Sequence, residues 1–169
     1  GYIVHLGVVM IMIAIIGHNV YQSEGQANLA RGESIQVENY VLTFNGLTQT
    51  PGSNYDAVQA NLLVTRSGRP AGVVRPGMHF YNTVSGQDQP TNEIAIRMGL
   101  AEDLYVVLAG WEGDGATASF KVYVNPMMSW MWIGGLVMIL GTLAAVWPHQ
   151  KETERVAAAA TAPRGVQPV

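Results

Sequence analysis

From Met127 to Trp147 the chain runs for 21 residues without an Asp, Glu, Lys or Arg. A helix rises 1.5 Å per residue, and about 20 apolar residues cross a ~30 Å hydrocarbon core, so this stretch predicts a membrane-spanning helix. Pro126 breaks whatever precedes it, and Pro148 closes it. Trp130 and Trp132 lie at one end and Trp147 at the other, and indole rings favour the bilayer interface, where an apolar body meets a polar tip. A second run, Tyr2 to Ile16, is almost wholly apolar and continues weakly through Gly17, His18, Asn19, Val20 and Tyr21. It is just long enough to span, and it shows no polar face of the kind a helix on a soluble protein would carry. Gly134, Gly135 and Gly141 in one span, and Gly7, Ala14 and Gly17 in the other, predict small-residue surfaces that let helix backbones approach closely.

Charge supports this reading. Charged residues make up 12% of the chain, against about 25% in an ordinary soluble domain. The nine Lys and Arg are scattered and the net charge is −3, so no basic stripe marks a nucleic-acid partner. Without cysteine there is no disulfide framework, no Cys-type zinc site and no thiol chemistry. The opening Gly1-Tyr2-Ile3-Val4 has no Met and no basic flank, and it reads as a cut inside a longer polypeptide. Lys151 and Arg155 follow the second span directly, with Arg164 further on, which places the tail on the cytoplasmic side and the middle of the chain outside. The expected organisation is a transmembrane helix over 1–21, an extracytoplasmic β domain over 22–125, a transmembrane helix over 126–148 and a disordered cytoplasmic tail over 149–169.

The middle segment has strand character. Ser34 to Phe44 is rich in β-branched and aromatic residues. In Ala57 to Thr65, Val58, Ala60, Leu62 and Val64 share one face, and in Thr117 to Val124, Ala118, Phe120, Val122 and Val124 do the same. Further candidate strands are Val73 to Tyr81, Glu93 to Arg97 and Asp103 to Ala109, with turns at Ser67-Gly68-Arg69-Pro70 and Glu112-Gly113-Asp114-Gly115. Six or so short strands with Gly-rich connections predict a small antiparallel sandwich or open barrel. The fold class expected is therefore a two-helix membrane protein with an inserted all-β domain.

No catalytic constellation is visible. The acids Asp56, Asp88, Glu93, Glu102, Asp103, Glu112 and Asp114 are dispersed and read as solvated, and nothing completes a metal site around Glu102-Asp103. His79, among Met78, Phe80 and Tyr81, reads as a half-buried packing residue. His5 is the residue to single out. An ionisable side chain in a span usually faces a functional cavity or a partner, and neutral imidazole is a good axial ligand for haem iron. An interhelical hydrogen bond explains it equally well on physical grounds. His18 lies about 20 Å further along the helix, beyond the reach of an iron held by His5, at an outer end where a polar residue is cheap.

Several strings occur together: Gly1-Tyr2-Ile3-Val4-His5-Leu6-Gly7, His79-Phe80-Tyr81-Asn82-Thr83, Glu93-Ile94-Ala95-Ile96, Glu102-Asp103-Leu104-Tyr105-Val106, and Asn125-Pro126 ahead of Trp130-Met131-Trp132-Ile133-Gly134-Gly135-Leu136. Their order resembles the C-terminal part of the CcmF family, the haem-handling membrane proteins of cytochrome c maturation, over nearly the whole chain up to Trp147. The resemblance implies a multi-pass protein of the bacterial inner membrane, with the β domain on its periplasmic side. It implies joining of haem to the Cys-x-x-Cys-His motif of apocytochrome c, with haem received from the chaperone CcmE and with CcmH and CcmI as partners. It also implies a b-type haem (haem b) within the membrane, held between two histidines and helping to keep the transferred iron reduced. His5, in its Val-His-Leu-Gly setting, aligns with one of these two, so the resemblance makes it the cofactor-binding and metal-ligating residue of this chain. The second axial ligand would come from the remaining spans of CcmF. The family's tryptophan-rich haem-handling segment is absent here, since Trp130-x-Trp132 belongs to a span. The expected role is therefore a C-terminal portion of a haem lyase, supplying His5 and a β domain that helps frame the docking surface for chaperone and apocytochrome. The rival is a membrane-anchored β domain that only binds proteins.

Overall fold

In the computed structural model, residues 1–52, 55–81 and 89–147 are described. Pro148, the tail over 149–169 and the residues Asn82, Thr83 and Asp88 lie outside them. A helix at each end, α1 (Tyr2–Tyr21) and α2 (Met128–Val146), encloses a run of strands. These are β1 (Ser23–Ala30), β2 (Ser34–Val37), β3 (Tyr40–Pro51), β4 (Tyr55–Arg66) and β5 (Arg69–Val74), followed by β6 (Gly77–Tyr81), β7 (Gln89–Glu93), β8 (Ala95–Arg97), β9 (Glu102–Glu112) and β10 (Thr117–Pro126). They form two sheets, ordered β1-β10-β9-β8 and β2-β3-β4-β6-β7, with β5 also on β4, and each pairing is antiparallel.

The predicted alternation sets the inner faces. Ala60, Leu62 and Val64 of β4 meet Ala118, Phe120, Val122 and Val124 of β10 in one buried cluster. Phe44 and Phe120, one from each sheet, tilt against each other with ring centroids 5.2 Å apart. Such a pair adds about 0.5–1.5 kcal/mol beyond its burial. The sandwich expected from the sequence is the architecture found, but several strands divide. The Ser34–Phe44 run breaks because Glu38 takes a left-handed φ of 52° between β2 and β3. The Val73–Tyr81 run breaks at Arg75-Pro76, where proline cannot donate to a ladder. Glu93 to Arg97 is not one strand: β7 pairs β6 in one sheet, and β8 pairs β9 in the other. The turn after β4 is tighter than expected. Ser67 and Gly68 both have positive φ, the hairpin geometry whose twist matches the flanking strands.

The helices pack antiparallel along a glycine seam. A side-chain carbon on Gly7 would sit 2.7 Å from the Gly134 carbonyl oxygen and the Met138 backbone nitrogen. One on Gly134 would meet the Gly7 carbonyl at 2.9 Å, and one on Gly141 would meet the Val4 nitrogen at 2.9 Å. Backbone cannot yield as a flexible side chain can, so these positions require glycine for contact. Gly135, expected in the same surface, has open space around it. Beyond the seam the helices expose Leu, Ile, Val and Met, as a lipid-facing pair would.

At the end of the sandwich from which both helices depart, here called basal, Tyr40 is 2% exposed and lies under the Arg66 guanidinium, 5.5 Å from its centroid. Arg66 Nη2 donates to Glu102 Oε1 at 2.7 Å and so ties β4 of one sheet to β9 of the other. Burial, and then the Glu102 carboxylate, push the Tyr40 phenol above its ordinary 10.0.

Gly134→Leu is expected to force the helices apart at a cost of about 1–3 kcal/mol, seen as a lower thermal midpoint in detergent. Gly135→Leu should leave that midpoint unchanged, and equal effects of the two would dispose of the seam. The raised Tyr40 pKa means that the folded chain keeps this proton where the unfolded chain has lost it. Its contribution is therefore complete below pH 10.0 and falls as pH rises through the folded pKa. Denaturant midpoints taken across that alkaline range should fall less steeply in Tyr40→Phe. Some loss should remain from Tyr105, whose phenol is raised by burial and then by Asp103.

Candidate functional site

His5 stands in the first turns of α1, held there by an uninterrupted apolar helix. Gly7, Ala14 and Gly17 face inward, whereas His5 is exposed. Its Nδ1 lies 3.0 Å from the Gly1 carbonyl oxygen. A carbonyl only accepts, so Nδ1 carries the proton and donates, leaving the Nε2 lone pair directed away from its own backbone. A histidine that ligates a metal through one nitrogen and donates from the other to a carbonyl has this arrangement. The donor set is thus compatible with an axial role for one imidazole. The sequence led to the expectation of a cavity or partner beside this ring. Three clefts among the described residues lie elsewhere, and His5 lines none of them.

His18 occupies the same continuous helix, about 20 Å further along its axis. It lies at the helix end, as expected, and its Nδ1 is buried with no hydrogen-bond partner among the described residues. Nearby, Gly17 lies against the Met127 sulfur, where the two helices meet the sandwich.

His79 lies at the opposite, apical part of the domain. It is half-buried, as expected, and stacks on Tyr55 at 4.9 Å with 29° between the rings. The Tyr81 ring lies edge-on at 6.2 Å. Sequence reasoning missed its partner: Nε2 lies 3.0 Å from Glu93 Oε2. Glu93 pairs with Gly77 in the β6–β7 ladder, two residues from His79 on the same face, so only the strand register could have revealed the contact.

Asp56, Glu93, Glu112 and Asp114 are exposed, as expected of solvated acids, but two others differ. Asp103 is 4% exposed, and its Oδ1 accepts from the Gly99 backbone nitrogen at 2.8 Å. Glu102 is held by Arg66. Among the described residues no three His, Asp or Glu side chains converge as metal ligands would.

A further set of polar contacts lies at the basal end. Gln22 Nε2 donates to Asn125 Oδ1 at 2.7 Å, linking the exit of α1 to the last strand. The loop between β8 and β9 grips the start of α2 at three points. Met127 N donates to the Ala101 carbonyl at 2.8 Å, Ser129 Oγ to the Gly99 carbonyl at 2.7 Å, and Trp130 Nε1 to the Leu100 carbonyl at 3.0 Å. A cleft of about 440 Å³ opens beside α1, with Tyr21, Ser23, Glu38 and Glu102 on its walls.

Comparison with known proteins agrees with these features. The family described as CcmF C-terminal beta-sandwich matches residues 20–126. The cytochrome c-type biogenesis protein CcmF of Escherichia coli strain K12 is 31% identical over 162 residues, covering 96% of this chain and 24% of that protein. The CcmF of Haemophilus influenzae is 34% identical over 146 residues, covering 86% of this chain and 22% of its own length. A solved structure titled Cytochrome c Heme Lyase CcmF superposes with a TM-score of 0.68 at 30% identity, over 86% of this chain and 24% of that one. The chain thus spans about a quarter of the length of the relatives it matches. Sandwich, end helices and matched strings agree: the chain belongs to the CcmF family of cytochrome c biogenesis proteins and corresponds to its C-terminal β-sandwich with the apolar helices on either side.

Proposed function

We propose that this chain forms the C-terminal part of a cytochrome c haem lyase in the bacterial inner membrane. In this reading, segments 1–21 and 126–148 span the bilayer, the β domain over 22–125 is periplasmic, and the tail over 149–169 is cytoplasmic. Two apolar helices with mean hydropathy of 2.1 and 1.8, long enough to cross, support the spans. Lys151 and Arg155 beyond the second span support the orientation.

His5 is proposed as one axial ligand of a membrane b-type haem, the other coming from the remaining spans of CcmF. The observation that carries this is the imidazole's own hydrogen bond. With Nδ1 satisfied by the Gly1 carbonyl, Nε2 is the free donor atom, on a helix face that α2 does not cover. A haem held there would supply electrons that keep the transferred haem iron reduced. The Gly1 carbonyl would orient the ring for that role. The β domain would help frame the surface on which CcmE and apocytochrome c dock, beside CcmH and CcmI. The lyase chemistry is thioether formation between haem vinyl groups and cysteine thiols, and no side chain described here is placed to carry it out.

A second reading, an anchored β domain that binds proteins without haem, draws on one observation: His5 is exposed with no described cleft beside it. The visible spectrum of the intact protein separates the two. A bis-histidine haem gives a sharp reduced α band. His5→Ala is expected to abolish it and His18→Ala to spare it. An unchanged band in His5→Ala would leave the scaffold reading standing.

A further inference from the structure

The loop between β8 and β9, Met98 to Ala101, carries two of the most exposed apolar side chains of the domain: Met98 at 81% and Leu100 at 77%. Large apolar groups this open on a domain surface usually mark a contact. Here the backbone says at what depth. Gly99 and Leu100 offer their carbonyls to Ser129 and Trp130, both in the first turn of α2, and Ala101 accepts from Met127 just ahead of it. The loop therefore does not stand above the helix start but reaches alongside it, to the level of Trp130. Trp132, 76% exposed, marks the same interfacial zone.

Two further contacts hold the loop in this position. Asp103, buried, holds the Gly99 nitrogen from above. A side-chain carbon on Gly99 would sit 2.5 Å from the Glu102 carbonyl oxygen, so the tight path needs glycine there. Charged groups flank the apolar tip on the domain side only: Arg97 before it, and the Arg66–Glu102 pair after it. A charged collar above and a thioether and an isobutyl group below is the amphipathic order of a bilayer surface.

We propose that Met98 and Leu100 insert into the headgroup–acyl boundary of the outer leaflet, so that the sandwich is seated on the lipid surface at a third point besides its two helix junctions. The proposal rests on α1 and α2 spanning the membrane. The partner is bilayer lipid, because the hydrogen bonds to α2 fix the loop at the depth of an interfacial tryptophan. With the domain held at three points, its tilt over the membrane is set by the fold itself.

The test uses the intact membrane protein in nanodiscs, with a single cysteine placed in turn at Met98→Cys, Gln49→Cys and Leu140→Cys and labelled with an environment-sensitive fluorophore. Gln49 is exposed on β3, nine residues beyond its basal start at Tyr40. Leu140 is exposed on α2, well inside the proposed span. The Met98 label should be quenched by lipids carrying a nitroxide near the headgroup and shielded from aqueous iodide, and the Gln49 label should show the reverse. Iodide access at Met98 equal to that at Gln49 would overturn the proposal. Shielding from both quenchers would also overturn it, because another protein segment would then cover the loop. The Leu140 label, quenched by a deep nitroxide, reports the spans on their own. If it fails, the membrane reading falls, whereas failure at Met98 alone leaves the spans intact.

Discussion

The contact between the backbones of Gly7 and Gly134 governs the rest of the molecule. Two apolar helices in lipid gain nothing from hiding from water, so they associate only where packing or polar contact favours it. Removing every side-chain carbon at the crossing lets the carbonyls of one helix approach the other within van der Waals distance. The pairing brings Gln22 and Met127, the ends of the helices, side by side. The first and last strands then begin where they can pair directly: Ser23 lies opposite Val124, and the ladder runs from there to Ala30 and Thr117. Helix pair and sheet thus form one continuous antiparallel ribbon, and the second sheet closes over its apolar face.

Polar chemistry concentrates where this ribbon changes from helix to strand. A backbone that stops being helical leaves carbonyl and amide groups that need partners. Met127 N finds the Ala101 carbonyl, Ser129 Oγ and the Trp130 indole donate to the Gly99 and Leu100 carbonyls of the adjoining loop, and Gln22 and Asn125 bond each other side chain to side chain. Asp103 belongs to the same set, its burial made tolerable by the amide it accepts from. The Arg66–Glu102 pair, with Tyr40 beneath, joins the two sheets close by. The His79–Glu93–Tyr55 group lies apart from this zone, and its contacts stay within the β4–β6–β7 sheet.

Much of this was legible in residue order. The charge-free run and its tryptophans marked α2, and the period-two patterns of β4 and β10 named their buried faces residue by residue. What escaped notice depended on partners far away in the chain. Ser23 to Ala30 is not among the strands expected from the sequence, yet it is β1, because β10 supplies its ladder. Glu93 to Arg97 looks like one strand by composition, and only the stacking of two sheets divides it at Ile94. For the candidate site, His5 could be singled out from the sequence, whereas its outward direction depends on which helix face the glycines claim. Asp103 looked like any surface acid because the amide that binds it comes from a loop without a signature of its own. Gly135 looked equivalent to Gly134, but one step along a helix turns a residue by about 100°, out of the seam.

The pairing of β1 with β10 has an architectural corollary. Since the chain enters and leaves the sandwich through neighbouring strands, the domain is an insert in the bend of a helical hairpin. The hairpin imposes only a narrow gap between its two ends, and any compact module whose termini meet that gap could occupy the place. Selection is then free to remodel the outer loops, or the whole β module, while the helical half keeps its geometry.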